Sequence, residues 1–538
     1  MPAEVALEIQ NLSFRYRIRE ELAIKNIQLS FEPGQVSLIA GASGCGKTTL
    51  IRCINGLIPR SYKGEMKGKV LIHGEDTAPL KLAQISQKVG TVLQDPERQI
   101  LGTKVLNEAA FGLENLGYPR EEILERVVRA LEQLNITHLK DRETFNLSGG
   151  EKQKVALAGV LVMKPDILLL DEPLASLDPA SAEETLKMVR GLADSGMTVL
   201  LVEHRVEDVL RIHPEQVIFM SAGRIEYIGT AEKLGREINY REVKLPAPMI
   251  MAAVKEEEGP HDFFIAPERK MNGKESLVTF EDVSFEYEEG KPVLREISAD
   301  IYPGDIIAVL GPNGAGKTTL VKHAIGLLKP KSGRVIVQGK ETSRMSVAEI
   351  AQTLGYVFQS PSHMLFAPTV REELEFGPKN MGHDKEQIGK EVKEAIDIVN
   401  LSGMEESPPL ALSFGQQKRV SIAAVLAMRS KVLVMDEPSA GQDYRNYIDF
   451  MDAIMDLPNF AAVLFITHDI DLAVIYANRV MMVNKGRLIA DGKPKEVLED
   501  LSFLRENRLV PTSLLAQNLE HYPETGGFMR AEALAQKV

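Results

Sequence analysis

The stretch "GASGCGKTTL" at residues 41–50 returns as "GPNGAGKTTL" at residues 311–320. Both fit G-x-x-x-x-G-K-[ST] without a departure. Each follows a short apolar run ("VSLIA", "IIAVL") and precedes a helical pattern, so each reads as a strand turning through glycines into a helix. In that setting backbone N–H groups curl around phosphate oxygens, and the helix N-terminus adds about half a positive charge. The expected cradle is Gly41, Ser43, Gly44, Gly46, Lys47, Thr48 and Thr49 in one copy. In the other it is Gly311, Asn313, Gly314, Gly316, Lys317, Thr318 and Thr319. Lys47 and Lys317 reach the β- and γ-phosphates in this reading, and Thr48 and Thr318 ligate Mg²⁺.

The repetition is not confined to these loops. Lys47 falls on Lys317 at an offset of 270 (317 − 47), and Gln94, Ser148 and Glu172 fall on Gln359, Ser413 and Glu437 at 265 (359 − 94). His204 falls on His468 at 264 (468 − 204). The one real slip lies where "IPRSYKGEMKGKV" in the first half stands against "KPKSGRV" in the second. The chain therefore reads as a duplication. Pro246 falls on Pro511, so each half is expected to end in a small Pro-started apolar helix. The expected division is a first domain at 1–255, a charged, flexible linker at 256–276 and a second domain at 277–538.

A second chemical feature sits at "ILLLDEP" and "VLVMDEP". An apolar strand that ends in two acids points to chemistry at its end. Asp171 and Asp436 are expected in the magnesium shell, and Glu172 and Glu437 beside the water that attacks the phosphate.

The bulk properties limit the alternatives. The chain has 538 residues, a net charge of −13 and two cysteines, Cys45 and Cys53. An acidic chain is a poor partner for nucleic acid, whose binding is dominated by phosphate neutralisation, so none is expected. Two cysteines make no disulfide framework and suit a reducing compartment. The N-terminus has no secretory pattern, and no run approaches the roughly 18 apolar residues of a membrane span. Work at a membrane would go through a partner.

With these residues in place the chain resembles two ATP-binding-cassette (ABC) ATPases fused head to tail. The most specific mark is "LSGGEKQK" at 147–154, repeated as "LSFGQQKR" at 412–419. The resemblance implies an α/β fold: two P-loop nucleotide-binding domains, each with a RecA-like parallel sheet, a β subdomain, a helical signature subdomain and a small C-terminal helical extension. It implies ATP and Mg²⁺ as cofactors. Ser148 with Gly150, and Ser413 with Gly415, would present an anion site to the ATP of the opposite half, making an intramolecular pseudo-dimer in which Lys47 faces Ser413 and Lys317 faces Ser148. Gln94 and Gln359 resemble the Q-loop glutamine at the metal, His204 and His468 the switch histidine at the γ-phosphate, and Asp178 and Asp443 the D-loop aspartate. Tyr16 and Tyr287 stand where the family stacks an aromatic ring on adenine.

The halves are not identical. Phe414 replaces Gly149 in the signature, Gln442 replaces Leu177 before the D-loop aspartate, and Cys45 stands where the second loop has Ala315. Two competent but unequal sites are expected. A helix N-terminus lowers a thiol pKa, so Cys45 has two open readings, a reactive thiol and a buried inert one.

The stretches "VLQDPERQILGTKVLNEAAFGLENLGYP" and "VFQSPSHMLFAPTVREELEFGPKN" resemble the energy-coupling-factor (ECF) type of vitamin and metal importer. "SAGQDYRNYIDFM" further resembles its fused ATPases linked to uptake of thiamine or its hydroxymethylpyrimidine precursor. This implies an ATPase at the cytoplasmic face of the membrane, driving a transmembrane coupling protein and a small membrane substrate-binding protein. A soluble tandem ATPase acting on ribosomes is the alternative, but its spacer is longer and helical. A fused sugar-importer ATPase is another, though one half there usually loses catalytic residues, and Glu172 and Glu437 are both kept.

Overall fold

The computed structural model describes residues 5–175, 177–256, 263–268, 275–440, 442–457 and 460–538. The chain packs as two compact units, one built mainly from residues up to Leu245 and the other mainly from Pro246 onward.

In the first unit the strands Val36–Ala40, Ile167–Asp171 and Thr198–Val202 are buried at every position. Strands covered on both faces read as continuous apolar runs, and such strands pair in parallel. They occupy the middle of a six-stranded sheet ordered Arg224–Gly229, Gln216–Ser221, Val36–Ala40, Thr198–Val202, Ile167–Asp171, Val89–Val92. Only the pairing of Arg224–Gly229 with Gln216–Ser221 is antiparallel. A second, antiparallel sheet contains Ile24–Phe31, Leu7–Tyr16, Gly64–Ile72 and Glu75–Asp76. One core joins the two sheets, with Leu50, Ile51 and Ile54 of the helix Lys47–Ile54 packed among Phe14, Phe31, Leu169 and Ile218. That placement aims the N-terminus of the helix at the carboxyl ends of the parallel strands, where open α/β sheets bind ligands.

The second unit repeats the plan. Its large sheet runs Leu354–Val357, Val432–Asp436, Ala462–Thr467, Ile306–Leu310, Arg479–Asn484, Arg487–Gly492, and its small sheet Pro292–Ile301, Val278–Glu286, Ser332–Val337, Lys340–Glu341. In each unit the helix that opens the LSGG or LSFG motif, Gly149–Leu161 or Phe414–Ala427, packs against two others. They are Val105–Asn115 and Arg120–Gln133 in one, and Val370–Asn380 and Lys385–Ile398 in the other. The expected sheet core, β subdomain and helical subdomain are all present. Part of the length difference between halves is a strand difference, Gly64–Ile72 outrunning Ser332–Val337. Among the described residues the second half also has no counterpart of the short helix Leu57–Arg60.

The two Pro-started helices are Ala247–Glu256 and Ser513–Glu520, and both lie in the second unit. Ala247–Glu256 buries Ile250, Met251 and Val254 and packs on Ser513–Glu520 and on Ala531–Lys537. Its first amide, Ala247 N–H, donates to Ser513 Oγ at 2.8 Å. The register of the repeat and the unit of packing thus part company at Leu245. Of the expected linker, residues 257–262 and 269–274 lie outside the described residues. Between them, Phe264 packs on Tyr476 at 5.5 Å between centroids, and Pro267 O accepts from Asn478 Nδ2 at 3.2 Å. Among the described residues no helix is long and apolar enough to cross a membrane.

Arg530 anchors this helical cluster. It is 6% exposed, bonds Asp452 through both Nη atoms and reaches Tyr476 OH at 3.3 Å. Asp452 Oδ1 also accepts from Tyr476 OH at 2.7 Å. Arg530 is the buried partner while Asp452 is partly open to water, so removing Arg530 takes away charge-assisted bonds and packing without stranding a fully buried charge. Arg530→Ala is expected to cost the second unit about 2 kcal/mol, read from urea denaturation of the full chain.

Candidate nucleotide sites

Each glycine loop joins a buried strand to a helix, and the turn leaves no room for a side chain at its first residue. Gly41 and Gly311 sit at φ 147° and 153°, and a Cβ on either would meet a carbonyl oxygen, Met220 O or Val483 O, at 2.1 Å. Gly44 and Gly314 have open space around them but φ of 80° and 75°, a region that favours glycine. Gly46 and Gly316 precede the helices Lys47–Ile54 and Lys317–Ala324, with Ser43 and Asn313 earlier in the loops.

Both lysines are buried and turned back over their loops. Lys47 Nζ donates to Gly41 O and Ala42 O at 2.8 and 2.9 Å, and Lys317 Nζ to Gly311 O and Pro312 O at 2.8 and 3.0 Å. Burial lowers the Lys317 pKa, against the pull of Glu437 and Asp436. Tyr16 OH lies 3.1 Å from Thr49 Oγ1, and Tyr287 OH 3.3 Å from Thr319 Oγ1, so each tyrosine stands beside its P-loop helix.

The acid pair closes the site. Asp171 and Asp436 are the last residues of their strands and are 6% and 5% exposed. Burial first, and the neighbouring Glu172 second, push the Asp171 carboxyl up to about 6, against the Thr48 hydrogen bond and the Lys47 charge. Asp436 is raised by burial against hydrogen bonds from Tyr356 and Thr318, which both land on Oδ2, at 2.8 and 2.9 Å. Asp171 Oδ1 and Asp436 Oδ1 are buried without a protein partner. An orphaned carboxylate oxygen beside a threonine hydroxyl, under a phosphate loop, fits a hard divalent cation.

Glu172 and Glu437 follow at φ 50° and 46°. This left-handed step is uncommon for a residue with a side chain and belongs with strained, functional positions. Glu172 is held twice: Gln94 Nε2 donates to Oε2 at 2.6 Å, and His204 Nε2 lies 2.9 Å from Oε1. Burial raises its pKa, but His204 and Lys47 outweigh it and hold the carboxyl below its ordinary range. Glu437 is held once, by His468 Nδ1 at 3.1 Å from Oε1, and its Oε2 has no partner. Gln359 is exposed at the position of Gln94. Among the described residues, short-range contacts and charge interactions thus join the lysine, acids and histidine of each half, and a hydrogen bond adds the glutamine in the first.

The signature serines serve their own helices. Ser148 caps Gly149–Leu161 in a capping box with Glu151, and Ser413 caps Phe414–Ala427 in one with Gln416. Gly150 and Gly415 lie in the first turns. The side chain of Phe414 lies outside what is described. Asp178 and Asp443 directly precede the helices Pro179–Asp194 and Tyr444–Met455.

Cys45 takes the buried alternative. It is 6% exposed, and burial pushes its thiol up despite Lys47 Nζ at 3.8 Å. Desolvation of a thiolate outweighs the helix N-terminus and the lysine.

The comparisons bear on what this geometry serves. A family model described as ABC transporter matches residues 24–175 and 294–440, one match across each phosphate loop and acid pair. The chain belongs to the ABC transporter family. Relatives named "Putative ABC transporter ATP-binding protein" align over nearly its whole length. That of Methanosarcina mazei is 35% identical over 94% of this chain and 92% of its own, and that of Streptococcus pneumoniae 36% over 97% of each. A solved structure of cbiO1 from Clostridium perfringens, described as part of the ABC transporter complex cbiONQ, is 35% identical. It covers 43% of this chain and 94% of its own, with a TM-score of 0.39. This ABC protein is accordingly a tandem ATP-binding subunit with ATPase activity.

Sequence reading missed several residues at these sites. Tyr356 on Asp436 stands three positions before Gln359, where the first half has Thr91. Glu203, 2% exposed, accepts from Leu174 N–H at 2.7 Å and so fixes the turn after Glu172. A tyrosine inside a strand, or an acid beside a histidine, carries no local mark of its partner.

Burial pushes the Cys53 thiol up to about 12 as well, so iodoacetamide at pH 7.5 should label the folded chain at least about tenfold more slowly than a free thiol. The raised Asp171 pKa means that its contribution favours the fold below about pH 4 and is lost as pH rises through about 6. Asp171→Asn should therefore stabilise the protein, measured without nucleotide or metal, by up to about 3 kcal/mol at pH 7, with the gain vanishing toward pH 4.

Proposed function

We propose that this chain is the motor of an ECF-type importer, coupling ATP hydrolysis to uptake of a vitamin-like substrate through membrane partners. The observation that carries the reading is an exposed apolar pair at the same repeat position in each unit. Leu101 and Phe111 are 70% and 44% exposed in the first, and Phe366 and Phe376 are 62% and 51% exposed in the second. The rings of Phe366 and Phe376 meet edge to face at 4.8 Å. Both pairs lie just past the Q-loop glutamines, inside the ECF-like stretches. Their backbone is braced: buried Glu108 accepts from Leu101 and Gly102 N–H at 2.8 and 2.6 Å, and buried Glu373 from Phe366 and Ala367 N–H, both at 2.8 Å. Large apolar side chains held in water on a braced loop suit an apolar helix of a partner. The partners are a transmembrane coupling protein and a small membrane substrate-binding protein, with this chain peripheral at the cytoplasmic face. Thiamine or its hydroxymethylpyrimidine precursor is the first substrate to test.

The reaction is ATP + H₂O → ADP + phosphate, and catalysis is mostly positioning and electrostatics. Gly41–Thr49 and Gly311–Thr319 receive the phosphates, Tyr16 and Tyr287 the adenine, and Ser148 with Gly150 and Ser413 with Gly415 a further phosphate contact. Thr48, Asp171 and Gln94, and Thr318, Asp436 and Gln359, would hold Mg²⁺, which when bound neutralises charge on the β- and γ-phosphates. Glu172 and Glu437 orient the attacking water, and His204 and His468 hold the glutamates until the γ-phosphate competes for them. Asp178 and Asp443 stand at the ends of the loops that follow.

The first test is capture of the chain from membranes solubilised in mild detergent. Small polytopic membrane proteins should co-purify, and the substrate-binding one should carry its ligand. Leu101→Glu with Phe366→Glu should lose them while keeping the ATP-dependent rise in melting temperature. Ribosomal proteins without a membrane partner would overturn the transport reading. Separately, Glu172→Gln and Glu437→Gln should each depress hydrolysis and prolong nucleotide retention, but to different extents, because Glu172 has two side-chain partners and Glu437 one. Identical effects would show equal sites.

A further inference from the structure

The segment that follows each catalytic glutamate is fastened by a cation, and the two units draw that cation from different elements. In the first unit it is Arg205, directly after His204, whose Nη1 donates to Leu174 O and Leu177 O at 3.3 and 3.2 Å. In the second, Asp469 occupies that position and cannot serve. The cation there is Lys418, on the helix Phe414–Ala427, about one and a half turns past Ser413. Lys418 is 1% exposed, and its Nζ donates to Glu437 O at 3.2 Å and Pro438 O at 2.9 Å. Pro438 O receives a second donor, Gln442 Nε2, at 2.9 Å.

From this geometry we infer that Lys418, with Gln442, is a positioning residue for Glu437 and ties the second hydrolytic centre to its signature helix. The inference rests on Glu437 being the water-orienting residue of the proposed function. Glu437 is fixed on its amide side by a bond to Ile466 O at 2.9 Å, and it enters the turn at φ 46°. Its carbonyl oxygen also accepts from Ala440 N–H at 3.1 Å. A buried ammonium on that carbonyl and the next sets the plane of the peptide, and with it the direction of the Glu437 side chain. An ammonium bonded to carbonyl oxygens in a low-dielectric interior is a stiff link, because breaking it leaves a buried charge unpaired. A shift of the signature helix therefore moves Glu437. The first unit makes this link through a neutral amide instead of an ammonium. Gln153 stands in place of Lys418 and bonds Pro173 O without a charge, and Leu177 stands in place of Gln442 with no side-chain donor to offer. The Gln442 substitution, unexplained by the sequence motif, is thereby accounted for, since Gln442 supplies the second donor on the carbonyl that Lys418 holds.

The test uses the full chain carrying Glu172→Gln, so that hydrolysis passes through Glu437. Lys418→Met should lower kcat at least about tenfold with KM for ATP within about twofold, and Lys418→Arg should restore most of it. Gln442→Leu, on the loop and harmless to the core, should lower kcat about threefold alone and add nothing in the Lys418→Met background, since both donors act on one carbonyl. A Lys418→Met kcat within about twofold of its parent, a loss carried by KM, or independent multiplication of the two effects would overturn the inference. If Lys418→Met fails to fold, the Gln442→Leu kcat decides: a value unchanged from the parent sinks the proposal. The chain with both Glu172→Gln and Glu437→Gln separates the two claims. Undiminished hydrolysis there removes Glu437 from the reaction, whereas abolished hydrolysis with an indifferent Lys418 removes only the positioning role.

Discussion

Burial of two adjacent carboxylates at the end of a β-strand is the constraint around which each unit is arranged. Charged groups taken out of water must find donors, neutralise or pair with ions. The pair Asp171–Glu172 does this by division: the aspartate faces the phosphate loop, with its carboxyl pushed up to about 6, while the left-handed step at Glu172 turns the next side chain toward His204 and Gln94. The strand cannot continue through such a step. It ends where the chemistry begins, and the parallel sheet brings the P-loop strand into the same layer with one strand between.

The groups assigned to the reaction are, in this geometry, bonded to one another. Lysines donate to loop carbonyls, histidines lie on glutamates and signature serines close their own capping boxes. None of these bonds is costly to exchange for a phosphate oxygen of higher charge, since charge-assisted bonds are the stronger ones. The two units reach the same arrangement with different supports. Thr91 stands where Tyr356 reaches Asp436, Gln153 where Lys418 reaches Glu437 O, and Arg205 where Asp469 begins a helix. Most motif residues are shared between the halves, while several residues behind them differ, so the two sites stand on different supports.

Much of this was legible before any coordinates. The phosphate loops carry their own geometry, because only glycine fits at Gly41 and Gly311. The apolar strands "ILLLD" and "VLVMD" announce a doubly covered parallel sheet. The repeat register assigned the Pro-started helix Ala247–Glu256 to the first half, yet its apolar face found a partner in its own copy, Ser513–Glu520, within the second unit. Periodicity tells which face is apolar and says nothing of what will cover it. The two Cys45 readings stayed open in the sequence for a similar reason: a helix N-terminus is visible there, whereas the desolvation that outweighs it depends on every atom packed around the sulfur.

The sequence by itself determined the duplication, the two phosphate loops, the acid pairs, and the ABC family, because these rest on residue types at short, regular spacings and on backbone demands that few residues meet. Only the tertiary structure decided which side chains stand behind them. Tyr356 and Asp436 are 80 residues apart, and Lys418 and Glu437 lie on a helix and a strand end whose meeting depends on how the helical layer docks against the sheet. Such contacts leave no local signature, since a buried donor is chosen by the acceptor that packing brings to it.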